Sequence, residues 1–212
     1  KTCDEEMFKL LKGANCDSVA IGLESGNSFI RKKILNRNIA DEDILATFKM
    51  AHDHGIKTHS FAMVGIPYET KQTIIDTAVF SAKLGEHNDP WRFIFHPYPK
   101  TELYKLCVEK GWIGATLNDY SDERSVSVLR LPTIAAHDIN AYHKIFHIIV
   151  KVEQFLSLNA SGPVKKIIRY LYRYPRYPII ILLFHYYQRL KILGLKKSIS
   201  IMIARCWKAH NA

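Results

Sequence analysis

Residues 61–70, Phe-Ala-Met-Val-Gly-Ile-Pro-Tyr-Glu-Thr, decide the fold of this chain. An apolar run that enters a glycine–proline turn and then a helix start is typical of a βα unit. Gly65 can adopt backbone conformations closed to other residues and lets a flat ring approach the main chain. Glu69 and Thr70 suit the first turn of the helix. In the simpler alternative this is an ordinary βα loop, and Glu69 only complements the helix dipole. The stretch therefore predicts a strand, a turn with free backbone amides, and a helix.

Similar units lie on both sides of this stretch. The pattern predicts strands at 18–23, 57–64 and 91–96, and helices near 28–35, 41–54, 70–84 and 102–110. A further helix is predicted at the start, where the acids at 4–6 lead into an apolar stripe that Gly13 closes. Alternating strands and helices of this kind form parallel sheets, so we expect the strand ends at Leu23, Val64 and His96 to share one rim.

The alternation stops after Leu117, where a polar loop leads to Pro132 and a helix predicted at 135–156. We therefore expect two parts, an α/β part over 1–115 and a mainly helical, basic part over 116–212.

The net charge of +10 is concentrated in the second part. Glu153 is the last acidic residue, and the tail beyond it carries Lys165, Lys166, Arg169, Arg173, Arg176, Arg189, Lys191, Lys196, Lys197, Arg205 and Lys208. Apolar residues at helical spacing beside these charges fit a membrane surface, while a packed helical unit with a basic solvent face is the interpretation that we favour. The interleaved tyrosines also fit nucleic acid, which we place lowest. The apolar run 179–184 is too short to span a bilayer.

The four cysteines, Cys3, Cys16, Cys107 and Cys206, lie far apart in the sequence. They form neither a disulfide framework nor a metal-binding spacing, so we expect a reducing, cytoplasmic location, at most peripheral to a membrane. The chain opens inside a predicted helix. We therefore expect a fragment whose unpaired sheet edges favour association or poor expression.

Two more stretches point to chemistry. Residues 22–26, Gly-Leu-Glu-Ser-Gly, follow a strand and place an acid and a hydroxyl where barrel enzymes bind ligands. The simpler alternative is a solvated Glu24 beside a turn glycine. Residues 96–101, His-Pro-Tyr-Pro-Lys-Thr, form a rigid strand exit that simple packing also explains.

Taken together in their order and spacing, these stretches resemble radical S-adenosylmethionine (SAM) enzymes, especially the branch that often carries an upstream cobalamin-binding domain. The resemblance covers roughly 1–114 and rests on Asn15-Cys16, Glu24-Ser25-Gly26, Asn36-Arg37, Gly65 to Thr70, and Pro97 to Thr101. The chain departs from the family pattern twice, because Asn15 and Lys100 stand where glycine is usual.

The resemblance implies a partial (βα) TIM-type barrel with a SAM site at its rim. By position, Glu24 and Ser25 would contact the methionine part or ribose of SAM, and Arg37 its carboxylate, although an isolated Arg37 reads as a solvated loop charge. Phe61, Met63, Val64 and Gly65 match the family's adenine-binding segment, which contacts the adenine mainly through main-chain groups. We assign no catalytic residue and no metal ligand.

The implied cofactors are SAM and a [4Fe–4S] cluster, with cobalamin as a further candidate. The family's cysteine triad is absent here, so the cluster ligands and the cobalamin domain would lie outside this chain, which alone should be inert. The intact enzyme would cleave SAM to a 5′-deoxyadenosyl radical that attacks a small-molecule substrate, or would support radical methyl transfer. The expected partner is the missing N-terminal part. The alternative is a non-catalytic binding module on the same scaffold.

Overall fold

The computed structural model describes residues 3–113, 126–159, 161–175 and 182. Its elements are α1 (Glu5–Gly13), β1 (Ser18–Glu24), a π-helical turn (Ile30–Ile34), α2 (Asp41–Asp53), β2 (Lys57–Val64), α3 (Lys71–Lys83), β3 (Asn88–Ile94), α4 (Glu102–Glu109), α5 (Ala136–Asn159) and α6 (Gly162–Leu171). The predicted loop at 118–122 and most of the tail beyond 175 lie outside the described residues.

The three strands form one parallel sheet in the order β1-β2-β3. Ser18 pairs with Lys57, and Thr58 pairs with Asn88, so all three strands run the same way and end at the same edge. The predicted α/β fold with its strand ends on one rim is confirmed. In the described part of the chain, the outer edges of β1 and β3 pair with no further strand.

The position of β3 differs from the prediction, because the strand begins at Asn88 and ends at Ile94. Asn88 looks like a turn residue in the sequence, but its side chain is buried and takes part in the sheet. Its Oδ1 accepts a hydrogen bond from the amide of Ser60 at 3.0 Å, and its Nδ2 donates to Ser60 Oγ at 3.0 Å. These bonds extend the strand three residues towards its N-terminus.

The two faces of the sheet differ. Along β2, Thr58, Ser60, Ala62 and Val64 are buried, whereas the alternate positions are at least partly exposed. Helices α2 and α3 lie on the buried side. The other side, which we call the open face, carries His59, Phe61 and Met63 of β2 and, by strand pairing, Gly22 and Trp91.

Helix α5 packs along α3 and β3 on the buried side of the sheet. Its Ile139, Tyr142 and Phe146 share one apolar core with Ala62 and Val64. Helix α6 follows it and is anchored where the Tyr142 hydroxyl donates to the carbonyl of Tyr172 at 2.9 Å. The division of the chain near residue 115 stays a prediction. No helix within the described ranges is long and apolar enough to cross a membrane.

Candidate functional site

The end of β1 is bent by an irregularity. The pairing register between β1 and β2 shifts between Gly22 and Glu24, and Glu24 has a positive φ of 62°. The amide of Ser25 then turns back to donate to the carbonyl of Leu23 at 2.8 Å. Because a non-glycine residue rarely adopts this conformation, the bend is a specific feature of the strand end.

The bend directs the carboxylate of Glu24 back over the open face, where it meets Arg37. Arg37 Nη1 donates to Glu24 Oε1 at 2.7 Å, and Nη2 donates to the Gly22 carbonyl at 3.2 Å. A Cβ atom at Gly22 would lie 2.5 Å from Glu24 Oε1 and 3.1 Å from Arg37 Nη1. The missing side chain of Gly22 therefore makes room for the ion pair. Glu24 and Arg37, which the resemblance assigns to one SAM site, are thus in contact, and their role as SAM ligands stays a prediction.

Both partners remain accessible to solvent. The side chain of Arg37 is 35% exposed and that of Glu24 is 24% exposed. In the strand register Gly22 faces Phe61, so the ring-bearing residue of β2 lies beside the ion pair on the same face. The site is therefore a pair of opposite charges next to an aromatic surface. That surface continues to Trp91, whose ring centroid lies 5.2 Å from that of Phe61.

Ser25 has a different environment. Its side chain is fully buried and its hydroxyl shares a hydrogen bond with Thr77 Oγ1 at 3.1 Å. The same Thr77 oxygen accepts from the amide of Gly26, and Ser25 Oγ accepts from the amide of Asn27. The hydroxyl of Ser25 thus ties the loop after β1 to α3, and the structure does not bring it to the Glu24–Arg37 pair.

Arg31 is a site residue that the sequence did not reveal. It is 1% exposed, and its Nη1 donates to the Ser25 carbonyl at 2.9 Å. Its guanidinium also donates to the carbonyl of Ile39 and to the carboxylate of Asp41, and it lies 5.8 Å from the centre of the Phe80 ring. In the sequence Arg31 begins a basic run that looks solvated, and nothing local signals its burial.

The turn after β2 is closed by Glu69. Its Oε2 accepts hydrogen bonds from the amides of Gly65 at 2.7 Å and Ile66 at 3.1 Å. The expectation that the amides of this turn are free is therefore wrong, since a carboxylate can reach back from the helix start and occupy them. Gly65 has a φ of +84° and is covered by α5, because a Cβ atom there would lie 2.9 Å from Ile139 Cγ2.

Glu69 is fully buried, and burial raises the pKa of its carboxyl group to about 8 despite the two amide bonds, which lower it. Among the described residues, Oε1 has no hydrogen-bond partner. A carboxyl group that keeps its proton at neutral pH is consistent with this arrangement, because one oxygen accepts both amides and the other carries the proton.

The adenine-binding segment that the sequence suggested divides between the two faces. Phe61 and Met63 are half-buried on the open face, whereas Val64 is fully buried against α3 and α5. The pairing of β2 with β1 ends at Ala62, so the main chain of Met63 and Val64 extends beyond the β1 ladder. That stretch of backbone lies at the same rim as Glu24.

The described cysteines do not form a metal site. Cys3 is exposed, Cys16 is half-buried and Cys107 is buried, and burial raises the pKa of the Cys107 thiol to about 11. No group of three or more His, Cys, Asp or Glu side chains in the described ranges could hold a metal ion. These residues therefore do not fit an iron–sulfur cluster.

Comparison with known proteins gives a family match over part of the chain. Residues 1–80 match the family model of the Radical SAM superfamily. An uncharacterized methyltransferase of Pyrococcus horikoshii is 26% identical over 107 residues, which cover 50% of this chain. This chain spans about a quarter of that relative's length, 23%. The radical SAM enzyme coproporphyrinogen III oxidase of Escherichia coli aligns with a TM-score of 0.47 at 16% identity, over 74% of this chain and 30% of the oxidase.

Proposed function

We propose that this chain is the C-terminal part of a radical SAM enzyme, and that its open face belongs to a partial (βα) barrel. The family match over residues 1–80 supports the proposal, as does a parallel sheet whose polar strand ends share one rim. The observation that carries it is the partly exposed ion pair of Glu24 and Arg37, formed by two separate motifs of the family pattern.

The pair suits the amino-acid end of SAM, which carries an ammonium and a carboxylate. Arg37 can donate hydrogen bonds to a carboxylate from its exposed side, since the guanidinium has five donors in a planar fork. Glu24, 2.7 Å away, can accept the ammonium group. Opposite charges held side by side match such a zwitterion without burying a net charge.

The remaining candidate residues would contribute in other ways. Phe61 and Met63 offer apolar surface on the open face, while Val64 and Gly65 would contribute main-chain atoms at the rim. Ser25 would act indirectly, by holding the loop that carries Glu24. The residues present thus fit SAM.

The cofactors would supply the chemistry, a reductive cleavage of SAM driven by a [4Fe–4S] cluster whose ligands lie outside this chain. This chain's own residues would bind and orient SAM and shield it from water. Because the matched relative of Pyrococcus horikoshii is named as a methyltransferase, methyl transfer is the second reaction that we propose. We also propose cobalamin as a further cofactor of the intact enzyme.

Replacing Arg37 with alanine tests this function in the full-length, reconstituted protein. We expect SAM binding to weaken by about 1.5 to 3 kcal/mol, the range for a hydrogen bond to a charged group. Lysine should restore only part of the affinity, because a point charge cannot reproduce a planar fork. The control is Arg130→Ala, which removes an exposed arginine outside the site. Unchanged affinity in Arg37→Ala, measured by equilibrium binding, would reject the SAM assignment.

A further inference from the structure

Helix α6 is fixed on the body of the protein by its inner side. Ile168 and Tyr172 are buried, and Arg169 forms three hydrogen bonds with the buried carboxylate of Glu153, the shortest at 2.6 Å from Nη2 to Oε2. The helix therefore has one defined outward side, because the ion pair and the buried residues set its rotation.

That outward side is unusually apolar for a docked helix. Ile167 and Tyr170 are 63% and 54% exposed and lie one helical turn apart, and Tyr174, in the turn that follows α6, is 44% exposed. The rings of Tyr170 and Tyr174 contact each other with centroids 5.8 Å apart. Large exposed apolar side chains that form one patch are typical of an interaction surface.

Two exposed basic residues flank this patch, and one of them, Arg173, is also tied to α3, where its Nη2 donates to Gln72 Oε1 at 3.2 Å. Lys166 and Arg173 are exposed, and the Arg173 guanidinium lies 5.9 Å from the centre of the Tyr170 ring. The nearest acid in the sequence, Glu153, is already paired with Arg169, and no Asp or Glu follows it to the end of the chain. The outward face of α6 and of the turn after it thus combines apolar and aromatic groups with exposed cations.

We propose that this face, formed by Lys166, Ile167, Tyr170, Arg173 and Tyr174, rests on a bilayer that contains anionic phospholipid. Tyrosines favour the membrane interface, where the ring lies among acyl chains and the hydroxyl reaches water. Lysine and arginine attract anionic headgroups. This proposal is independent of the SAM site.

The side chain of Ile167 favours lipid over nucleic acid. It is the most exposed member of the patch, and an aliphatic side chain gains from burial in acyl chains but cannot stack on a base. The sequence that follows continues the same composition, with the apolar run 179–184 and further basic residues.

The test is co-sedimentation of the intact protein with vesicles of phosphatidylcholine, with and without phosphatidylglycerol. We expect binding that requires phosphatidylglycerol and weakens as salt is added. The double variants Ile167→Ser/Tyr170→Ser and Lys166→Gln/Arg173→Gln should each weaken binding about tenfold or more. The first variant loses apolar contact with the acyl chains. The second loses two basic residues, each of which contributes on the order of fivefold near an anionic surface. These side chains are exposed, so thermal melting should show folded proteins.

Matched controls lie elsewhere on the surface. Leu10→Ser removes an apolar side chain that is 69% exposed on α1, and Lys57→Gln with Lys110→Gln removes two exposed charges. The controls should bind vesicles as the parent protein does. Equal losses in controls and α6 variants, or equal binding to neutral vesicles, would overturn the proposal. It would also fail if a single-stranded oligonucleotide bound this face more tightly than vesicles, or if the α6 variants only converted a dimer to a monomer.

Discussion

The carboxylate of Glu24 and the guanidinium of Arg37 meet at 2.7 Å directly above the α-carbon of Gly22. The two charged residues are thirteen positions apart in the sequence, on opposite sides of the π-helical turn. The carbonyl of Gly22 accepts a second bond from Arg37, so the glycine contributes both space and an acceptor. A strand-end glycine that looks like a turn residue in the sequence is therefore part of the site.

Gly22→Ala should damage the site more than the fold. A Cβ atom would lie 2.5 Å from Glu24 Oε1, so the carboxylate must move and the ion pair must lengthen. We expect a loss of about 1 to 3 kcal/mol in SAM binding to the full-length protein, comparable to losing the charged hydrogen bond. The loss in unfolding free energy should be smaller, because both side chains can relax into solvent. Gly13→Ala is the control, since a Cβ there meets nothing within 4 Å.

Glu69 should make stability depend on pH. The folded-state pKa of its carboxyl is raised from 4.5 to about 8 by burial, so between these values the folded chain holds a proton that the unfolded chain has released. Stability should therefore fall as pH rises through this window and level off above it. Glu69→Gln should flatten the slope, because the amide side chain does not ionise. The turn should stay intact, since the amide oxygen can still accept from Gly65 and Ile66.

Urea unfolding at several pH values between 5 and 9 measures this effect as a difference between variant and parent. The exposed Glu109→Gln on α4 serves as the charge-matched control and should follow the parent. A slope in Glu69→Gln equal to that of the parent would show that the Glu69 carboxyl ionises normally in the fold.

The two departures from the family pattern have a common backbone geometry. Asn15 and Lys100, which stand where glycine is usual, have positive φ values of 59° and 73°. Asparagine tolerates this conformation better than lysine does, because its short polar side chain can bond locally. The positions demand a glycine-like backbone even where the sequence lacks glycine.

Lys100→Gly should therefore stabilise the protein by about 0.5 to 1 kcal/mol, the relief of left-handed strain less the added entropy of the unfolded chain. The control Lys105→Gly, inside α4, should cost about 1 kcal/mol, since glycine weakens a helix interior. Chemical denaturation compares the two. A Lys100→Gly variant destabilised as much as Lys105→Gly would contradict the strain at residue 100.

How far the sequence could predict the structure depends on the range of the interactions involved. β2 and α4 match their predictions closely, because strand alternation and the Thr101 cap are local signals. The capture of the turn amides by Glu69 could not be foreseen, since a buried acid and a solvated one look alike in sequence. The convergence of Glu24 with Arg37 was foreseen only through the family pattern, because spacing alone does not require it.

The burial of Arg31 could not be predicted at all, and it yields the last expectation. Arg31 is 1% exposed and donates to the carbonyls of Ser25 and Ile39 and to the Asp41 carboxylate. Arg31→Met leaves the buried Ser25 carbonyl without its donor, while the Asp41 side chain, 42% exposed, can turn to solvent. We therefore expect a cost of about 1 to 3 kcal/mol, the range for a buried acceptor left unsatisfied. Lys33→Met, on the same turn but exposed, should cost little.

The same guanidinium connects stability to the site, because the Ser25 carbonyl that it holds follows directly after Glu24. Arg31→Lys keeps the charge but loses the fork, so we expect it to fold with reduced stability and to bind SAM more weakly than the parent. Urea unfolding and equilibrium SAM binding, measured on the same full-length variants, separate the two effects. If Arg31→Lys lost stability while SAM affinity stayed unchanged, Arg31 would support the loop without positioning Glu24. If Arg31→Met cost less than about 1 kcal/mol, the buried network itself would contribute little net stability.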